Sequence, residues 1–163
     1  MTDARPAVER VYPPKALYGV INPMLTAALS SRRWSKRVGE RLLLLHVTGR
    51  KTGREFTIPV GHRPAPDGGR VVLTGAPWRV NLRGREEVEV TYRGERRPAR
   101  AQLVEDPAAV AQVYRELIEE IGPDKAGRQM GIRINVDRVP TLEELEEAVR
   151  RDNLAVIHLN LEG

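Results

Sequence analysis

The densest chemistry in the chain is the stretch Gly49-Arg50-Lys51-Thr52-Gly53-Arg54, which sets three cations, a hydroxyl and two glycines within six residues. Glycine tolerates positive φ, so such a turn can aim backbone N–H groups into a concavity while guanidinium and ammonium groups neutralise a phosphate or carboxylate. An ordinary solvated hairpin has the same composition, and both readings stand at this point. A nucleotide P-loop is excluded, because it needs Gly-Lys-Ser/Thr opening a helix and here Arg50 follows Gly49. Downstream, Thr74-Gly75-Ala76-Pro77-Trp78 joins an apolar strand to a short helical turn, so amides and an indole could meet a flat aromatic ligand. Trp78 alone reads as a core anchor, and Asn81 alone as a hydrogen-bonder of a helix or turn. Together with the basic turn they offer separate places for an anion and a ring.

Other reactive groups are sparse. The chain has no cysteine, which removes thiol nucleophiles, thiolate ligands and disulfides and suits a reducing cytoplasm. His46, His62 and His158 lie far apart, none at the i, i+4 spacing of a helical zinc pair, so no metal site is expected. Charge is uneven: residues 1–100 carry 20 Lys or Arg against 9 Asp or Glu, while residues 101–163 carry 7 against 13. That split predicts a basic surface facing an anionic partner and an acidic, solvated helical part. Nucleic acid fits poorly despite a pI near 10.0, since aromatics make up 4 % of the chain and are not interleaved with the basic residues.

These residues need elements to hold them. With 163 residues and 40 % apolar content, one core without staples is expected. Leu17, Val20, Ile21, Met24, Leu25, Ala28 and Leu29 recur at helical steps, so residues 1–35 read as an N-terminal helical arm and 36–163 as the main domain. The arm is expected to pack on the barrel or on a partner subunit, which leaves room for a homodimer. Peripheral contact with a membrane is the alternative, given Arg32, Arg33, Lys36 and Arg37 nearby. No signal peptide is read, and the longest strictly apolar run, Leu42–Leu45, falls far short of the ~20 residues of a spanning helix.

Residues 41–48 and 55–63 read as a hairpin around the basic turn, 71–73 as the start of a third strand and 77–83 as a short helical turn begun by Pro77. Alternation in 87–92 and 99–103 predicts a second hairpin. Asp106-Pro107 should cap a helix ended by Gly122-Pro123, Thr141 and Glu144 form a capping box for a last helix, and 154–161 returns to period two. The sum is α+β: a six-stranded, mainly antiparallel barrel with flanking helices.

At the level of motifs, T-G-R-K-T-G at Thr48–Gly53 with Pro59 beyond it, W-x-x-N-L at Trp78, Asn81 and Leu82, and the final A-V-I-H-L-N-L resemble the deazaflavin-dependent nitroreductase family, a branch of the split β-barrel flavin oxidoreductases. The match in order and spacing runs from about residue 40 to 161. The resemblance implies an FMN-binding-like split barrel holding 8-hydroxy-5-deazaflavin coenzyme. Arg50, Lys51, Thr52 and Gly53 would lie near its anionic tail and Thr74, Gly75 and Ala76 near its ring, with Arg54, Pro59, Trp78 and Asn81 also counted among the cofactor-binding residues. It further implies hydride transfer to a small quinone or nitro-type acceptor; His62, a histidine by its ordinary pKa suited to proton delivery, is the reserve proton donor, and no other catalytic residue is assigned. FMN in the same fold, or a non-catalytic barrel carrying an apolar or tetrapyrrole ligand, are the alternatives. The expected location is cytoplasmic.

Overall fold

The computed structural model describes residues 5–11, 27, 42–65 and 69–161. The apolar stripe Leu17–Leu29, apart from residue 27, and the basic cluster Arg32–Arg37 lie outside the described residues. The chain divides into two compact units. One takes residues 5–11, 74–76 and 104–156; the other takes 42–65, 69–73, 77–103 and 157–161.

The second unit is built on an antiparallel split-barrel sheet, and the α+β class expected from the sequence holds. Its strands are β2 (Leu42–Thr48), β3 (Glu55–Gly61), β4 (Arg63–Pro64), β5 (Arg70–Thr74), β6 (Glu87–Tyr92), β7 (Glu95–Val104) and β9 (Ala155–Leu161). They stand in the order β3-β2-β6-β7-β9-β5-β4. The sheet has one strand more than the pattern predicts, because Arg63 and Pro64 form β4 and pair with Val71 and Arg70 of β5. A run that short leaves no periodicity to read.

β2 is apolar on both faces, Leu43, Leu44, Leu45 and Val47 all being buried. A strand covered on two sides loses the alternation of a half-solvated one. Leu43, Leu45 and Val47 join Val60, Val72, Val90, Tyr92, Ala99, Ala101, Ile157 and Leu159 in one core, with Trp78 packed against it. Pro59 falls inside β3 opposite Leu44. Proline is tolerated there because β3 stands at the edge of the sheet among the described strands, where one side of its backbone owes no ladder bond. The hairpin of β6 and β7 closes on Arg93 and Gly94 with φ of 53° and 79°, the two left-handed residues of a type I′ turn.

The first unit pairs β1 (Val8–Arg10) with β8 (Ile132–Ile134) and holds helices α1 (Pro107–Ile121), α2 (Pro123–Met130) and α3 (Leu142–Asp152). Asp106 caps α1 through the Ala109 amide, as the sequence predicts. α1 ends at Gly122-Pro123 as the sequence predicts, but a further helix, not expected from the sequence, starts at Pro123. Pro123 occupies the first turn of α2, where a missing N–H costs nothing, and Gly122 serves both as the end of α1 and as the cap of α2.

The capping box of α3 is complete: the Glu144 amide donates to Thr141 Oγ1 at 3.2 Å and the Thr141 amide to Glu144 Oε1 at 2.9 Å. Arg138 grips the same carboxylate at 2.6 and 3.1 Å. The Arg138 hydrogen bonds, and after them the Thr141 amide, hold the Glu144 carboxyl at about 2 against its ordinary 4.5. A carboxyl depressed on folding stabilises the native state above its unfolded pKa and loses that contribution as pH falls through the folded one. Wild type is therefore expected to lose stability between about pH 4.5 and 2 that Glu144→Gln has already lost at neutral pH. Thermal melts of both proteins across that window check this, and parallel curves would contradict it.

Candidate functional site

The Gly49–Arg54 turn joins β2 to β3 and is closed by its own backbone. The Gly49 amide donates to the Arg54 carbonyl at 2.8 Å and the Gly53 amide to the Gly49 carbonyl at 3.0 Å. Gly53 sits at φ 69°, where a side chain would be strained. The Arg54 amide is spent on Thr52 Oγ1 at 3.3 Å, and the Arg50 amide on Asn81 Oδ1 at 3.0 Å. Four of the six amides are thus engaged within the protein. The side chains of Arg50, Lys51 and Arg54 are all exposed.

A cavity of about 630 Å³ opens beside the turn, lined by Gly49–Thr52, Phe56, Val80 and Asn81. No carboxylate is among those lining residues. Its far wall is the 3-10 helix Pro77–Leu82, fastened to the turn at two points: Asn81 accepts the Arg50 amide, and the Arg50 guanidinium donates to the Val80 carbonyl at 3.4 Å. Asn81 also donates from Nδ2 to the Trp78 carbonyl at 2.9 Å. Both ends of its amide are engaged, so it positions Arg50 relative to the helix. Trp78 is half-buried against the barrel core.

The other residues singled out in the sequence are distributed differently. Thr74, Gly75 and Ala76 belong to the first unit, where the Arg10 guanidinium donates to the Gly75 carbonyl at 3.0 Å and the Ala76 amide to Thr74 Oγ1 at 3.0 Å. A Cβ at Gly75 would stand 2.9 Å from that guanidinium, so the arginine fills the space a side chain would need. His62 is buried and meets Tyr92 edge to face at 5.5 Å between ring centres; it is not among the residues lining the turn cavity. Pro59 lies along β3 and is likewise outside that lining.

A second cavity, of about 660 Å³, shares Asn81 with the first and reaches His46, Glu55, Glu89, Arg96 and Arg100. His46 joins Thr57 Oγ1 through Nδ1 at 3.0 Å and Thr91 Oγ1 through Nε2 at 2.7 Å. Burial, and then the Arg96 charge, push the imidazole below its ordinary 6.5, against the opposite pull of Glu55 and Glu89. Arg96 itself bridges Glu55 and Glu89. Sequence reading passes over this cluster because its members come from four strands. The one signal was a histidine at a strand position opposite a threonine and a glutamate. Among the described residues no group of acidic or histidine side chains could hold a metal ion, and no helix is long and apolar enough to cross a membrane.

Comparison with known proteins gives one family: the model described as F420H(2)-dependent quinone reductase matches residues 26–139. No curated protein matches the chain. Among solved structures, the protein Atu2129 of unknown function from Agrobacterium tumefaciens str. C58 is similar at 14 % identity and TM-score 0.46, over 98 % of this chain and 60 % of that one. The conserved hypothetical protein Rv2991 from Mycobacterium tuberculosis is similar at 16 % identity and TM-score 0.43, over 99 % and 87 %. ChuZ from Campylobacter jejuni is similar at 10 % and 0.43, over 93 % and 64 %.

Proposed function

The chain belongs to the F420H(2)-dependent quinone reductase family, and from that premise we propose that it binds a reduced 5-deazaflavin coenzyme and serves the reduction of a small quinone-type acceptor. The observation that carries this reading is the turn cavity, where Arg50, Lys51 and the adjoining Arg54 meet a lining that contains no carboxylate. An anionic tail finds cations there and nothing that repels it. The second cavity holds Glu55, Glu87 and Glu89 beside its arginines and is the poorer host for an anion.

When bound, a reduced deazaflavin supplies a hydride, two electrons with one proton, to an electrophile. The protein's share is binding and positioning. Arg50 and Lys51 neutralise the tail, and Thr52 adds a hydroxyl. Asn81 keeps Arg50 at a fixed distance from the 3-10 helix through the two hydrogen bonds of its amide. Trp78, set on the same helix and packed on the core, gives that wall its rigidity. Positioning of this kind is where much of the rate of a transfer between two bound molecules originates. Contact of the coenzyme ring with Thr74, Gly75 and Ala76 belongs to the same proposal and rests on the family resemblance.

The test is a fluorescence titration of the purified protein with deazaflavin coenzyme and, separately, with FMN, followed by turnover of a soluble quinone. Saturable binding of the deazaflavin with turnover is the expected result. Preference for FMN would move the chain to the other flavin, and binding of neither would overturn the reading in favour of a ligand-carrying barrel.

A further inference from the structure

The chain leaves β5 at Thr74, and Gly75 and Ala76 belong to no strand or helix, yet the peptide unit between them is engaged at both ends. Its carbonyl, on Gly75, accepts from the Arg10 guanidinium at 3.0 Å, and its amide, on Ala76, donates to Thr74 Oγ1 at 3.0 Å. A Cβ at residue 75 would stand 2.9 Å from Cζ and Nη1 of Arg10 and 3.0 Å from Nε, so the guanidinium turns its face to Gly75. Only a glycine leaves room for that approach, and the residue type at 75 is thereby tied to the residue type at 10.

Arg10 is itself held from several sides. Its amide donates to Asp152 Oδ2 at 3.0 Å, at the end of α3, and the Arg151 guanidinium bonds the Val8 carbonyl. β1 pairs with β8, and this ladder is extended at both ends, by the Asn135 amide on the Ala7 carbonyl at 2.8 Å and the Val11 amide on the Gly131 carbonyl at 3.0 Å. A side chain that starts from a fixed backbone has less freedom to lose when it bonds. A charged donor on a carbonyl is also among the stronger hydrogen bonds.

We propose that Arg10 is a positioning residue for the coenzyme ring, setting from β1 the plane of the Gly75–Ala76 peptide that the ring meets. The inference rests on the reading that places Thr74, Gly75 and Ala76 against the deazaflavin ring, and it adds a residue that no motif in the sequence indicates. In this role Arg10 acts through Gly75, whereas the cations of the turn act on the anionic tail. Removing the tail from the ligand separates the two.

Fluorescence titration with the full deazaflavin coenzyme and with a tail-less deazaflavin riboside, on wild type, Arg10→Met, Arg10→Lys and Arg133→Met, tests this. Arg10→Met keeps the aliphatic length and loses the donors, and it is expected to weaken both ligands by the same factor, about fivefold. Arg10→Lys, which restores a charged donor, should recover most of that loss. Arg133→Met breaks the exposed 3.1 Å pair between Glu9 and Arg133, the neighbouring tie of β1 to β8, and should bind both ligands as wild type does. Chemical-shift mapping of wild type with the riboside should move the Gly75 amide and the Arg10 Nε–H together. Undiminished riboside affinity in Arg10→Met, or stationary resonances at both positions, would overturn the inference and leave the coenzyme reading intact. An equal loss in Arg133→Met would overturn it too, since the effect would then belong to the general stability of β1. If Arg10→Met is too unstable to titrate, the wild-type spectrum decides. Wild type that binds the coenzyme but not the riboside would also overturn the inference, and wild type that binds neither would overturn the coenzyme reading together with it.

Discussion

Replacing Arg50 and Lys51 together by alanine is expected to weaken deazaflavin binding at least tenfold, on the order of 1.4 kcal/mol, and to leave the melting temperature nearly unchanged. Both side chains are exposed, and the one anchor described for either is the long donation from Arg50 to the Val80 carbonyl. The Arg50 amide, which ties the turn to Asn81, survives the change to alanine. Surface charges of this kind add little to folding, whereas on the proposed reading the two cations would supply much of the attraction for the coenzyme's anionic tail. Salt supplies a second check, because the wild-type affinity should fall with ionic strength more steeply than that of the double variant. Unaltered affinity in the variant would show that the anion binds elsewhere.

Leu45→Ala is expected to cost about 3 kcal/mol of stability, the largest single loss among these variants. Leu45 is fully buried at the centre of β2, opposite Ile58 on one neighbour and Val90 on the other. Strands on both sides fix its surroundings, so the void left by the deleted atoms cannot close easily. Leu45→Met preserves most of the volume and should cost less than about 1.5 kcal/mol. Urea denaturation of the three proteins measures both figures. A loss near 1 kcal/mol or less for Leu45→Ala would mean that the barrel core repacks freely, contrary to the close-packed cluster around β2.

The parts of this fold that could be read from the sequence are those whose signal is local. An apolar run closed by Gly49 gives the first hairpin, Thr141 with Glu144 gives the cap of α3, and the alternation after residue 154 gives β9. What escaped depends on partners far away in the chain. β1 and β8 are three residues each, and Val8 meets Ile134 only once the intervening chain has folded. α2 escaped for a different reason, since Gly-Pro stops one helix and starts another with the same two residues. At the site, the cations of the turn were legible by type. The use of its amides was not, because Asn81, which takes the Arg50 amide, lies 31 residues away. His46 was passed over similarly: Thr57 and Thr91, which hold its two nitrogens, are 11 and 45 residues distant.

The place of β9 bears on the life of the nascent chain. β9, the last of the described strands in chain order, stands between β7 and β5. Among the described strands, until β9 has paired β7 offers one open edge and β5 another, with the short β4 on the far side of β5. Strand edges in that state can pair with the same edges of sister chains on a polysome. Pairing of residues 155–161 removes both edges at once.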